Sequence, residues 1–287
     1  MLWLQLYGIG FYVTPRAWVY NADLFQEAGV PFPDLEFTWD DIVSYGTKLT
    51  VDRTGDGVPE VYAVNNYGIA TWTWEPILVS FGGSMFNDYL RPTEFTMNQP
   101  GAMRGMQFYV DLSVVHGVAP RLAPGQGQNL LNIAAGNVAM AGEGAPPTLK
   151  PPKYDYDIRI MASPLGPNGR YIRAALEVLW IPSVSQNKEE AWKLIEFMAG
   201  PVAQRILAEE YEGALPVSID TIIEYMNPEW PIHLILEEST TMTSSAPMAQ
   251  IGPILEREIG PVYWGTASLD SVIMKVKPAI DAILQGQ

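Results

Sequence analysis

Apolar residues recur along this chain at two spacings, helical in some stretches and strand-like in others, and the two kinds alternate. That alternation predicts an α/β architecture. The opening, Met1 to Val13 (MLWLQLYGIGFYV), reads as a buried strand. Tyr20 to Ala28 reads as a short helix closed by Gly29, with Pro31 and Pro33 blocking its continuation. Thr38-Trp39-Asp40-Asp41 reads as an N-cap with an acidic first turn, and Trp39, Ile42, Val43 and Leu49 form the buried face behind it. A strand is predicted over Val61 to Val64. An aromatic stretch, Tyr67 to Phe86, follows it.

Pro100 suits the first position of a helix whose Met103, Met106, Val110 and Val114 recur at helical spacing. A helix over Asn129 to Ala135 ends at Gly136, and Val138 to Met140 is a short strand. Residues 142–153 form a Gly/Pro-rich loop, with strands after it near Tyr156 to Met161 and Leu176 to Ile181. Lys188 to Ala199 is a helix burying Trp192, Ile195 and Met198, and another runs to about Glu212. The last helix begins at Ser268; Leu269, Val272, Val276, Ile280 and Ile283 line one face, and Pro278 kinks it or starts its final segment.

Composition removes several function classes. The 287 residues are 48% hydrophobic and 17% charged, with 9 Trp, 14 Tyr and 9 Phe, unlike a disordered chain. With no cysteine there is no disulfide scaffold, iron–sulfur cluster or thiol nucleophile. The net charge of −15 is the opposite of a nucleic-acid footprint and is repelled by an anionic membrane. No run approaches the roughly 20 apolar residues that cross a bilayer.

Catalytic signals are weak. His116 and His233 stand far apart, and HExxH, GxSxG and GxxxxGK[ST] are absent. A carboxylate pair for glycoside hydrolysis stays open, because 32 Asp and Glu residues always offer pairs. The Asp52–Glu60 loop offers Asp52, Thr54, Asp56 and Glu60 at spacings suited to Ca²⁺, although Ala63 stands where an EF-hand needs Glu. An Asp/Gly turn is the favoured reading of that loop.

The aromatic stretch carries more. Trp72, Trp74 and Glu75 supply ring faces for a sugar and an acceptor for its hydroxyls. Core packing of both tryptophans is the equal alternative.

Ordered landmarks then resemble one family. Tyr20-Asn21-Ala22-Asp23-Leu24-Phe25, Gly29-Val30-Pro31 and Thr38-Trp39-Asp40-Asp41 are followed by Phe81-Gly82-Gly83 and Ala135-Gly136-Asn137-Val138-Ala139-Met140. Ser163-Pro164-Leu165-Gly166-Pro167, Gln186 to Trp192, Gly213-Ala214-Leu215-Pro216 and Ala267 to Ser271 complete the order. Together they resemble extracellular solute-binding proteins of carbohydrate ABC transporters, the maltose-binding-protein-like group.

The resemblance implies a periplasmic-binding-protein-like fold: two α/β lobes joined by hinge crossovers, with a solute between them. It divides the chain into residues 12–175 and 228–287 as the C-terminal lobe and residues 1–11 and 176–227 as a remnant of the N-terminal lobe. Roughly a hundred residues of the family pattern, export signal included, precede the part resembled here, so the first lobe is expected to be incomplete. Transferred by position, the ligand-binding residues are Tyr12, Trp72, Trp74, Glu75, Glu143, Glu177, Met248 and Gln250. The implied partners are a sugar and a membrane permease; the implied state is a monomer without cofactor or metal, outside the cytoplasm. Ala145-Pro146-Pro147 replaces an aromatic common in sugar binders, which favours a smaller sugar or polyol over a long maltodextrin. A glycoside hydrolase and a binder of a cationic solute are the alternatives.

Overall fold

The computed structural model describes residues 7–15, 18–65, 68–126, 131–142, 155–210, 215–225, 239–241 and 247–286, with backbone only at Trp72 and 239–241. Two four-stranded sheets organise it, of order β7-β1-β6-β8 and β3-β4-β2-β5. The first holds β1 (Ile9–Pro15), β6 (Ile172–Leu179), β7 (Leu215–Pro216) and β8 (Ser239–Thr241). The second holds β2 (Trp18–Asn21), β3 (Tyr62–Val64), β4 (Val138–Ala141) and β5 (Ile158–Met161). The chain crosses from one sheet to the other between β1 and β2 and returns between β5 and β6. In the second sheet β3 and β4 are parallel and β2 runs antiparallel to β4 and β5, so β3, β4 and β5 end on one edge.

Local chemistry explains the element ends. The Asn21 side chain accepts the Leu24 N–H and starts α1 (Ala22–Ala28), and Gly29 closes it in the left-handed conformation. Tyr20 and Asn21 therefore belong to β2, and the helix predicted from Tyr20 begins two residues later. Asn21 as a cap needs extended backbone, which the strand supplies. Thr38 and Asp41 form a reciprocal capping box on α2 (Trp39–Leu49).

The aromatic stretch becomes α3 (Thr71–Ser80), and Pro100 opens α4 (Pro100–Val114). The two helices cross closely because Gly105 lacks a side chain: a Cβ there would stand 2.8 Å from Leu78 Cα. Of the helix predicted over 129–135, residues 133–135 form a 3₁₀ turn and residues 127–130 lie outside the description. The strand predicted from Leu176 starts earlier, at Ile172.

The main core gathers α1 to α4, the second sheet, α8 (Met248–Tyr263) and α9 (Leu269–Gln285) around Trp74, Phe25, Phe95, Met106 and Tyr263. Pro278 sits inside a continuous α9, and Leu284 rather than Ile283 completes its fully buried face. α5 (Lys188–Ala199), α6 (Pro201–Glu210) and α7 (Ile219–Tyr225) accompany the first sheet, where Ala208, Leu215 and Ile222 form a separate small cluster with Val13 and Tyr225 beside them.

Two burial expectations fail on that side. On α5, Ile195 is buried, but Trp192 is 47% exposed. Its helical spacing marks a face, and too little of the described chain lies over that face to cover it. β1 is likewise half-buried rather than buried, with Tyr7 before it 81% exposed, while residues 1–6 lie outside the description.

Candidate functional site

A pocket opens where β3, β4 and β5 end and the second sheet meets β6. Asn65 follows β3, Gly142 follows β4 and Ser163 follows β5, while Trp18 begins the antiparallel β2 on the same edge. The carboxyl ends of parallel strands are where open α/β sheets place ligands, because the loops leave a crevice there. Ile172 and Arg173 of β6 form the facing wall.

Aromatic rings shape the pocket. Trp18 and Trp39 meet edge to face, their centroids 5.3 Å apart at 77°. Trp39 is fixed by its Nε1–H donating to Ser80 Oγ at 2.9 Å. Gly142 lets the Trp18 ring lie against the strand end, since a Cβ there would fall 2.4 Å from Trp18 Cε2. Tyr109 of α4 donates to Thr73 Oγ1 at 3.2 Å, and Tyr171 completes the lining. The enclosed volume is about 30 Å³, room for a few water-sized groups and too small for a pyranose ring.

Its polar groups are specific. The Asn65 Nδ2 donates to the Leu131 carbonyl at 2.7 Å, which fixes the amide orientation and leaves the buried Oδ1 without a hydrogen-bond partner among the described residues. Arg173 is the charged residue among the described lining.

Behind the lining, Glu75 of α3 is 3% exposed. Burial pushes its carboxyl up to about 7, while the Tyr89 hydroxyl and the positive charge of Arg173 act in the opposite direction. The Tyr89 hydroxyl is itself raised, by burial first and then by Glu75.

Placed on this geometry, the predicted residues separate. Trp74 has no exposed surface; its ring lies in the main core with Nε1–H donating to the Ile69 carbonyl at 3.3 Å. A stacking platform needs an open face, so Trp74 is removed from the ligand set. Glu75 is also corrected: it is enclosed behind the pocket and does not present its carboxylate at the lining. The cause is helical geometry. On α3, positions 72 and 74 lie about 200° apart around the axis and cannot share a face as they would on a strand.

Trp72 stands in the first turn of α3. Glu143 lies outside the described residues. Tyr12 and Glu177 are direct cross-strand partners on β1 and β6, so they share one face. That face also carries Arg173, four residues before Glu177 and about 13 Å along the strand. Met248 is partly buried against the core at the start of α8, and Gln250 is exposed.

The Asp52–Glu60 loop turns its acceptors on itself. Asp52 takes the N–H groups of Gly55 and Gly57 at 2.6 and 2.8 Å, and Thr54 Oγ1 donates to it at 3.4 Å. Asp56 accepts from Val58 N–H at 2.8 Å, and Glu60 from Arg53 N–H at 2.6 Å. These bonds hold the Asp52 and Glu60 carboxyls below their usual range. No group of three or more His, Asp or Glu side chains among the described residues is placed to hold a metal ion.

The sequence and the two sheets joined by crossovers match known proteins. The sequence pattern of the bacterial extracellular solute-binding protein family matches residues 1–205. The chain belongs to that family. A Brucella abortus binding protein is 22% identical over 300 residues, which span 98% of this chain and 68% of that protein. The arabinooligosaccharide-binding protein of Halalkalibacterium halodurans is 34% identical over 123 residues, 42% of this chain and 25% of its own.

Among solved structures, the ABC substrate-binding protein of Listeria monocytogenes in complex with cycloalternan superposes with a TM-score of 0.80 at 20% identity. That match covers 96% of this chain and 71% of the Listeria chain, and it shows the two-lobe binding-protein fold. For a solute-binding protein, a strand-end pocket facing crossover strands is the expected place for a ligand. No described helix is long and apolar enough to cross a membrane.

The sequence reading missed Trp18, Asn65, Tyr109, Tyr171 and Arg173. Asn65 was findable, since it directly follows a predicted strand. Tyr109 and Arg173 carried no such signal, because the elements that bring them to the pocket are distant in sequence.

Proposed function

We propose that this solute-binding protein takes a sugar, small oligosaccharide or polyol at the junction of its two sheets and delivers it to the permease of an ABC importer, without chemical turnover. The observation that carries the reading is the aromatic strand-end pocket of Trp18, Trp39, Tyr109 and Tyr171 in a chain of this family. The arabinooligosaccharide-binding relative and the cycloalternan complex support a carbohydrate. The small pocket anchors one substituent, and the ring lies across its mouth, bounded along β1 and β6 by Tyr12 and Glu177, with Trp72 a proposed contact. Glu143, Met248 and Gln250 remain proposed outer contacts.

Residues 12–175 and 228–287 act as one lobe in this reading, with residues 1–11 and 176–227 on the other side of the crossovers. The protein works as a monomer outside the cytoplasm, with no cofactor or metal. Against hydrolysis, no carboxylate is present in the described lining; against a cationic solute, Arg173 is.

The test is a tryptophan-fluorescence titration with maltose, arabinobiose and tagatose, run beside a reducing-end assay. Saturable quenching without release of reducing ends is expected, and Trp72→Ala is expected to remove the quenching. Silence towards these sugars and towards acidic sugars alike, or release of reducing ends, overturns the reading.

A further inference from the structure

Arg173 occupies an unusual place for a site built on aromatic rings. It is the charged residue among the described pocket lining, it sits on β6, and its charge acts on buried Glu75 behind the wall. The pocket accepts only a few water-sized groups, which matches a substituent carried on a ring rather than the ring itself. Asn65 adds an acceptor, its Oδ1 buried, oriented by the Leu131 carbonyl and without a hydrogen-bond partner among the described residues.

A ligand that fits brings an oxyanion to a guanidinium and a hydroxyl donor to an amide oxygen. A sugar carrying a carboxylate or phosphate has both. We propose that Arg173 is the specificity-determining residue of this pocket, engaging the anionic oxygens of an acidic sugar, and that Glu75, itself held by the Tyr89 hydroxyl, is a positioning residue for Arg173. This rests on the solute-binding reading above and narrows its substrate class.

The buried pair adds a signature that a merely structural role would not show. Titratable groups on the elements packed against α3 are Arg104, Tyr109 and Asp111 of α4, Glu256, Arg257, Glu258 and Tyr263 of α8, and Arg173 and Glu177 of β6, with Tyr89 in the following loop. Those acting on Glu75 are Tyr89 and Arg173. Once a ligand anion shares the guanidinium, Glu75 feels an added negative charge and less of the positive one, so its carboxyl moves further up. Binding of an acidic sugar near neutral pH then draws a proton onto Glu75, whereas a neutral sugar does not.

The test uses the full chain and three probes, galacturonate, galactose 1-phosphate and galactose. Calorimetry is run in two buffers of different ionisation enthalpy. Wild type is expected to prefer at least one acidic probe over galactose by about tenfold or more, with proton uptake on binding it. Arg173→Gln removes the preference for the acidic probe; Arg173→Lys restores part of it; Glu75→Gln abolishes the proton uptake. A stronger response to the phosphate than to the uronate, or the reverse, identifies which anion the pocket is built for. Equal binding of galactose and both acids, or a preference that survives Arg173→Gln in a folded variant, overturns this proposal alone. No binding of any probe overturns the solute-binding reading together with it.

Discussion

Burying Glu75 in α3 has a cost that pH reveals. The residue is 3% exposed and its carboxyl is pushed from 4.5 up to about 7, burial outweighing the Tyr89 hydrogen bond and the Arg173 charge. In the unfolded chain the same group titrates at its ordinary value. Below that value the carboxyl is protonated in both states and contributes no difference. Between the two, the native state keeps a proton that the unfolded state has released, so stability falls as pH rises. Above about 7 both states are ionised and the whole penalty is present. At about 1.36 kcal/mol per pH unit, the interval from 4.5 to about 7 amounts to a loss of about 3 kcal/mol.

Glu75→Gln keeps the shape, keeps an acceptor for the Tyr89 hydroxyl and removes the titration. Urea unfolding of both proteins at about pH 5 and about pH 8 isolates the group, because every other titration is shared. The variant is expected to gain on wild type by about 2.5 kcal/mol between the two conditions, the first part of the loss having fallen below pH 5. A stability difference that stays constant across that range refutes the argument.

Trp74→Ala is expected to destabilise the fold by about 3–5 kcal/mol, read as a fall in unfolding midpoint, because it empties a fully enclosed ring site. Gly105→Ala should cost about 1–3 kcal/mol in the same assay, since its Cβ would stand 2.8 Å from Leu78 Cα and α3 and α4 would have to separate. Thr38→Ala removes the hydroxyl from the α2 capping box and should cost about 1 kcal/mol, with a matching loss in Thr38→Val. Calcium in excess should leave the thermal midpoint unchanged, because Asp52, Asp56 and Glu60 already accept from the amides of their own loop; a clear rise on adding calcium would contradict this.

Much of this molecule was legible from local chemistry. The Thr38-Trp39-Asp40-Asp41 run specifies a helix start by itself, because the cap and its reciprocal acceptor lie three residues apart. Gly29 specifies a helix end because the left-handed backbone there suits no side chain well. Ser268 opens α9 by the same logic as Thr38. The order of such landmarks also identified the family, and with it two sheets joined by crossovers.

Burial was legible only where an element meets a complete core. The periodicity of α9 named its buried face well and that of α4 named Met106 and Val110 but also the half-buried Met103 and Val114, whereas the same pattern on α5 placed Trp192 inside when it stands exposed. Periodicity states which residues share a face; packing decides whether anything covers it. The site shows the same limit more sharply. Trp72, Trp74 and Glu75 look like one cluster in sequence, but the turn of α3 sends Trp74 into the core and Glu75 behind the pocket.

The sequence by itself determined the elements, their caps, the family and the acidic, aromatic-rich character of the chain. Only the tertiary structure decided which residues form the pocket. Trp18, Asn65, Tyr109 and Arg173 come from β2, the end of β3, α4 and β6, and they meet because strand ends and a crossover converge on one edge. Local sequence sets backbone geometry within a turn or a strand, while a binding site gathers side chains more than a hundred residues apart, such as Asn65 and Arg173.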